Sequence, residues 1–234
     1  LPQHRSPGAL NALDDKAFDA LFPAWASAPV GTYWTPVAVA RRVARMLAHL
    51  GVRRVLDVGS GAGKFCLAGA AKAPDIEFVG VEHRERLVQA AQSLGEQWGI
   101  TNARFAHGDA TDMSWTDFDA FYVFNSFAEN DFAAQDRFDD AVTLSHDRRV
   151  TEVKRVAQLL AARPVGCIIV TYHGLSGPIP GSYDLRHAEA IGTGWLRVWT
   201  KGSAGASGSV WLEEGADVSR WTAPASGGED DAAG

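Results

Sequence analysis

The sequence predicts an α/β domain, with a mostly parallel sheet, helices on both faces and an antiparallel hairpin at the C-terminal end. Three observations carry this. Short apolar, strand-like runs alternate with segments of helical apolar spacing between Arg53 and Tyr172. The first such run leads through three alternate glycines into a helix. The last two strand-like runs follow one another with no helix between them.

Leu1 to Asn11 is polar with Pro and Gly, and is expected as a loose arm. A short helix is expected from Asp14 to Phe22. Pro23 and Pro29 then break the chain into a loop leading to Gly31-Thr-Tyr-Trp-Thr-Pro36. From Val37 to Leu50, Val39, Val43, Met46, Leu47 and Leu50 recur at helical spacing, and Gly51 stops the helix. Strand Arg53–Val58, helix Ala62–Lys72, strand Ile76–Val81 and helix Glu85–Trp98 follow. Strands Ala103–His107 and Ala120–Phe124 come next. An insert, 127–164, is long for such a link and holds an expected helix from His146 to Ala162; its Phe127, Phe132 and Phe138, alternating with acids, read equally as a lid or substrate wall or as core aromatics of an extra helix. Val165–Tyr172 is the fifth strand. Gly194–Lys201 and Ser209–Glu214 flank a Gly/Ser-rich turn and form the expected hairpin. The domain assignment is therefore an arm and ligand lead-in over 1–36, one domain over 37–222, and a small, acidic, disordered tail over 223–234.

The chain has 234 residues, 46% hydrophobic and 21% charged, which suits one domain with a sizeable core. No apolar run is long enough to span a membrane. A formal charge of −6 disfavours tight binding to long nucleic acid by counterion release. Arg41, Arg42, Arg45, Arg53 and Arg54 read as a solvated helix face and its exit. Cys66 and Cys167 lie in apolar stretches and read as buried free thiols of a cytoplasmic protein. The histidines show no metal-ligand spacing, so no metal is expected.

The chemistry is concentrated in Val55-Leu-Asp-Val-Gly-Ser-Gly-Ala-Gly-Lys64. Glycine permits the sharp turn and a close ligand approach, and the helix amino end offers free N–H groups. Dinucleotide sites typically use G-x-G-x-x-G. Here the third glycine comes one place early, and Asp57 precedes the turn, which suits a cofactor with a positive end. The second strand runs into Gly80-Val-Glu82, where an acid can accept from both ribose hydroxyls. The third runs into Gly108-Asp-Ala110.

Asp57 with Gly59, Ser60, Gly61 and Gly63 resembles the first motif of class I S-adenosylmethionine-dependent methyltransferases. That resemblance implies a Rossmann-like seven-stranded sheet of order 3-2-1-4-5-7-6 and S-adenosyl-L-methionine as cofactor. It implies that Glu82 meets the ribose, and that Asp109 and the Ala110 N–H meet the adenine.

The fourth strand ends in Tyr122-Val-Phe-Asn-Ser-Phe-Ala-Glu-Asn130, at the position that faces the methyl group in this superfamily. An Asn carbonyl oxygen can accept amine hydrogens and aim the nitrogen lone pair. Asn125 is the candidate for this role and a neighbour of the cofactor. Phe127 is a candidate apolar wall, and Tyr33 and Trp34 are candidates to face the cationic centre. Asn125-Ser-Phe127 resembles the Asn-Asn-Phe turn of the non-SET histone lysine methyltransferases and, less closely, the Asn-Pro-Pro-aromatic turn of nucleic-acid amino methyltransferases. Both prolines of the latter are missing here. His173, after the fifth strand, is a further candidate proton acceptor.

These residues imply methyl transfer to an amine nitrogen of a protein or small molecule, with nucleic acid disfavoured and no membrane partner. Two alternatives remain at this stage: a nicotinamide-dependent oxidoreductase on a related fold, against which the early third glycine and Asp57 speak, and a non-catalytic module that binds the cofactor.

Overall fold

A computed structural model describes residues 6–26 and 34–203. Tyr33, the strand expected at 209–214 and the tail lie outside the described residues. The helices are α1 (Asp15–Asp19), α2 (Val37–His49), α3 (Lys64–Lys72), α4 (Glu85–Gln97) and α5 (His146–Ala161). The strands are β1 (Arg54–Val58), β2 (Glu77–Glu82), β3 (Ala103–His107), β4 (Ala120–Phe124), β5 (Ile168–Tyr172), β6 (Tyr183–Ile191) and β7 (Gly194–Lys201). They form one sheet in the order β3-β2-β1-β4-β5-β7-β6. The first five strands run parallel, and β7 pairs antiparallel with both β5 and β6.

Strand periodicity divides the core between the two faces. Val55, Phe78, Tyr122 and Phe124 point to one face and pack with α2, α3 and α4. Leu56, Val79, Val81, Phe121 and Val123 point to the other and pack with Trp115 and with Val153, Val156 and Leu160 of α5. Asp57 belongs to the first set and stands in register with Gly80 of β2 and Tyr122 of β4. The central strands are covered on both faces, which explains their near-continuous apolar runs.

Two elements differ from expectation. The C-terminal hairpin among the described residues pairs β7 with β6, a strand that the sequence reading did not expect. The β6 segment carries Asp184, Arg186, His187 and Glu189, and its register shifts between Leu185 and His187. It is an edge strand, where charged residues and a bulge protect the open side, so it presents no apolar stripe to read. Its Tyr183 hydroxyl donates to the Leu160 carbonyl at 3.0 Å, anchoring the edge to α5. The fifth strand also starts later than expected, because Val165 sits exposed in the preceding turn.

The arm is not loose from Ser6 onward. Leu10 is 1% exposed and Phe18 and Phe22 are buried in the core shared with α2 and α3. The Arg41 guanidinium donates to the carbonyls of Leu10 and Leu13, and the Asn11 amide donates to Ala71. Asp14 caps α1 by accepting the Ala17 N–H. Both cysteines are free and buried.

Helix α3 lies close on the sheet because Gly69 faces Phe78: a Cβ there would stand 2.4 Å from the ring. Gly69→Val should lower stability by about 1–3 kcal/mol through overpacking. Urea denaturation reads this directly, and an unchanged midpoint would show that Phe78 can move aside.

Candidate functional site

Order 3-2-1-4-5 places the point where the chain reverses direction between β1 and β4, and ligands in open α/β sheets lie outside the strand ends at that point. The loop after β1 is laced across β2: the N–H groups of Gly59 and Ser60 donate to the Val81 carbonyl at 3.1 and 2.9 Å. Gly59, Gly61 and Gly63 have φ of 76°, 54° and 81°, which L-residues rarely adopt. Their tasks differ. A Cβ on Gly59 would press on Ser126, and one on Gly63 would lie 2.5 Å from the Phe105 ring, whereas Gly61 faces open space. Gly63 thus serves helix-to-sheet packing, while Gly59 and Gly61 line a crevice.

Glu82, 5% exposed, forms the β2 wall of that crevice. Its Oε2 accepts the Gly61 N–H and its Oε1 the Arg84 N–H, both at 3.0 Å. His83, Arg84 and Leu87 continue the same wall, and Trp34 borders the crevice from the lead-in. The opposite wall is Phe124, Asn125 and Ser126 at the end of β4, with Glu129 and Phe138 from the insert.

A deeper recess adjoins it, lined by Asp57, Ser60, Lys64, Phe65, Trp34 and Thr35. Its floor is rigid. The Tyr122 ring stacks on Phe65 with centroids 3.7 Å apart, and its hydroxyl meets Thr35 Oγ1 at 3.0 Å. Asp57 is 4% exposed and meets the Cys66 thiol at 3.5 Å. No ion pair reaches Asp57 among the described residues. Burial, reinforced by the nearby Glu82 charge, pushes the Asp57 carboxyl up to about 7, against a smaller pull from the Cys66 thiol. Ser60 Oγ is buried with no hydrogen-bond partner. Two buried acids at neighbouring strand ends and an orphaned hydroxyl suit a ligand that brings positive charge and hydrogen-bond donors.

The loop after β4 is held to β1 by the Ser126 hydroxyl, which donates to the Val58 carbonyl. Asn125 there has φ 51°, and its carbonyl accepts the Ala128 N–H at 3.0 Å. His173 follows β5 with φ 64°, its ring edge-on to Phe124 at 5.4 Å. Two non-glycine residues in the left-handed region at adjacent strand ends are a local concentration of strain of the kind found at functional sites. Burial lowers the His173 pKa, which favours a neutral imidazole.

Other candidates lie elsewhere. Phe127 turns into the core beneath α5 with Val58 and Trp115, so Phe124 and Phe138 line the crevice instead. Asp109 Oδ1 accepts the Thr111 N–H and hydroxyl, both at 2.8 Å, and its Oδ2 lies 3.7 Å from Arg148. The Arg148 guanidinium also meets Glu152 at 2.8 Å and His83 Nδ1 at 3.3 Å, so α5 is tied to the ends of β2 and β3. Asp109 and Ala110 thus flank the crevice from the β3 side without lining it.

Sequence reasoning missed Arg84 and Glu129, whereas Phe138 belongs to the insert aromatics read as a lid or substrate wall. The Arg84 guanidinium donates to Glu129 at 2.9 Å and to Asp139 at 2.7 Å, and Glu129 accepts the Phe138 N–H at 2.6 Å. These contacts clamp the insert over the crevice. They join residues 45 and 55 positions apart, which no local spacing rule reaches. Of the basic group, Arg42 on α2 pairs with Glu189 and Arg54 on β1 pairs with Glu77 and Asp117, while Arg41 donates to arm carbonyls.

The Arg84–Glu129 pair is nearly fully buried, at 6% and 11% side-chain exposure. Arg84→Met should cost about 3–5 kcal/mol by leaving the Glu129 carboxylate buried and unpaired. Glu129→Gln in that background should recover part of the loss. Chemical denaturation of the two single variants and the double variant measures the coupling, and strictly additive losses would show that the pair is not a unit.

Comparison with known proteins agrees with this geometry. A family model described as a methyltransferase domain matches residues 52–180. The tRNA (guanine-N(7)-)-methyltransferase of Synechococcus sp. (strain JA-3-3Ab) is 41% identical over 61 residues, which is 26% of each chain. The uncharacterized methyltransferase YcgJ of Bacillus subtilis is 37% identical over 70 residues, 30% of this chain and 26% of that protein. The match thus spans about a quarter of these relatives' length. The fold is shared with an RNA methyltransferase from Salinibacter ruber, solved with S-adenosyl-L-homocysteine. That likeness has a TM-score of 0.51 at 16% identity and covers 76% of this chain and 99% of that one. No helix among the described residues is long and apolar enough to cross a membrane. The chain belongs to the methyltransferase domain family, within the class I superfamily whose cofactor is S-adenosyl-L-methionine.

Proposed function

We propose that this protein transfers a methyl group from S-adenosylmethionine to an amine nitrogen of a protein or small-molecule acceptor. The observation that carries the reading is the pair of buried carboxylates, Asp57 and Glu82, facing the β1–β4 crevice opposite a left-handed Asn125.

The cofactor supplies a methyl carbon on a sulfonium. In this reading Asp57 takes the cofactor's α-ammonium, with Ser60 Oγ beside it, and Glu82 accepts from the ribose hydroxyls with its remaining lone pairs. Asp109 and the Ala110 N–H would serve the adenine once Asp109 Oδ2 turns from Arg148. Asn125 accepts the amine hydrogens and aims the lone pair at the methyl carbon. Bound there, the cofactor would supply its methyl carbon to the acceptor nitrogen and retain the sulfur's electron pair, and the acceptor's surplus proton would pass to solvent. Phe124 and Phe138 exclude water from the transfer path, and the clamped insert acts as the lid. Tyr33, which lies outside the described residues, is a further candidate beside the cationic centre.

The likeness of Asn125-Ser-Phe127 to the lysine methyltransferases supports an amine acceptor. The acidic net charge and the pairing of Arg42 and Arg54 with acids support a protein or small molecule over a polyanion. A second reading, methylation of a guanine ring nitrogen in tRNA, is favoured by the names of several curated relatives. Labelled S-adenosylmethionine offered to protein, small-amine and tRNA pools separates the two: label confined to guanine N7 would sink the amine reading.

Asn125→Ala should leave S-adenosylhomocysteine affinity within about threefold and reduce turnover by about tenfold or more. If cofactor binding disappears with it, Asn125 serves the cofactor and not the acceptor. The pH dependence of cofactor binding has a defined sign. Below about 7 the free protein holds a proton on Asp57 that an incoming ammonium must displace, so affinity should fall by up to about tenfold per pH unit. Above about 8 the ligand's own amine loses charge and affinity should fall again. Calorimetry from pH 5.5 to 9 should show both limbs in the wild type, and Asp57→Asn should abolish the acidic one.

A further inference from the structure

Lys64 is the first residue of α3, directly after the glycine loop. A cation at a helix N-terminus opposes the helix dipole, and this side chain is only 4% exposed. Its Nζ lies 2.6 Å from Asp15 Oδ1 and 2.5 Å from Asp19 Oδ1, both on the N-terminal arm. It also stands 5.8 Å from the centre of the Trp34 ring.

The same lysine lines the recess that holds Asp57. One recess therefore contains a buried carboxylate with no cation and a buried cation claimed by two carboxylates from elsewhere. Asp19 remains in place although burial raises its pKa despite the Lys64 contact. Helix α1 has five residues, too few to persist alone. It is held by Phe18 in the core and by Asp15 Oδ1, which also accepts the Val37 N–H at 2.9 Å. The arm thereby joins the start of α2, the glycine loop and the recess.

We propose that Asp15 and Asp19 are positioning residues for the cofactor: by holding the Lys64 ammonium on the arm, they keep the Asp57 carboxylate open to the cofactor's own ammonium. This rests on the reading of the crevice as the S-adenosylmethionine site. Without the two acids, Lys64 turns to Asp57 and competes for it.

The test is calorimetric binding of S-adenosylhomocysteine and of 5′-methylthioadenosine, which lacks the amino-acid end, to the full chain. Asp15→Asn/Asp19→Asn keeps oxygen acceptors for the Val37 N–H and removes the charges. It should weaken S-adenosylhomocysteine about tenfold and leave methylthioadenosine within about twofold. Adding Lys64→Met should restore S-adenosylhomocysteine to within about threefold of the wild type. Should the double variant not fold, Asp19→Asn alone carries the same test with a smaller loss. Equal weakening of both ligands, or no rescue by Lys64→Met, would overturn the proposal and reduce the acids to a fastening for the arm. Failure of the wild type to bind S-adenosylhomocysteine would overturn the cofactor reading itself.

Discussion

Glu82 ends β2 with both carboxylate oxygens engaged by backbone N–H groups, one from the glycine loop and one from the start of α4. A buried carboxylate needs such donors to stay charged. In accepting them it fixes the path of the loop and the take-off of the helix, the two backbone segments that frame the crevice. The loop can lie there only because glycines take positive φ and because Gly80, opposite Asp57, leaves room for Ser60, whose Oγ would lie 2.6 Å from a Cβ on Gly80. One acid therefore organises the backbone, while the second, Asp57, is left with unmet charge.

Around this frame the protein places two ionic clamps of the same polarity, each a cation on the frame held by two acids of an outlying segment. On the insert side a buried cation, Arg84, gathers Glu129 and Asp139 and seats Phe138 against the crevice. On the arm side two acids gather the buried Lys64. Each joins a segment outside the sheet to a strand end or to the loop. Pairs built on a buried cation add little net stability over apolar contacts, yet stranding that cation is costly, so they favour a single arrangement of the segments they join. The crevice is built from these segments as much as from the sheet, and its shape depends on both clamps.

Much of the sheet was legible because its central strands are buried on both faces and read as apolar runs, and because glycine turns mark the links. The expected bounds of β3 and β4 coincide with those observed, and Asp57, Gly59, Gly61, Glu82 and Asn125 do converge on one crevice or its adjoining recess. β6 was illegible because an edge strand needs no apolar stripe. Phe127 was misplaced because one residue of rotation in the turn after β4 decides whether a side chain meets the crevice or the opposite core. The arm looked polar in sequence, yet its Leu10 joins the core beside Phe18 and Phe22, and Arg41 holds the carbonyls of Leu10 and Leu13.

The sequence by itself determined the strand-turn-helix unit, the acids at the ends of β1 and β2, and the class of ligand that their charge suits. Those are local facts, set by periodicity and by backbone conformations only glycine tolerates. The tertiary structure alone decided which charges share a partner. Arg84 with Glu129 and Asp139, Arg148 with Asp109, and Lys64 with Asp15 and Asp19 are pairings across the fold. Charge attracts charge through space, and only the folded chain sets those distances.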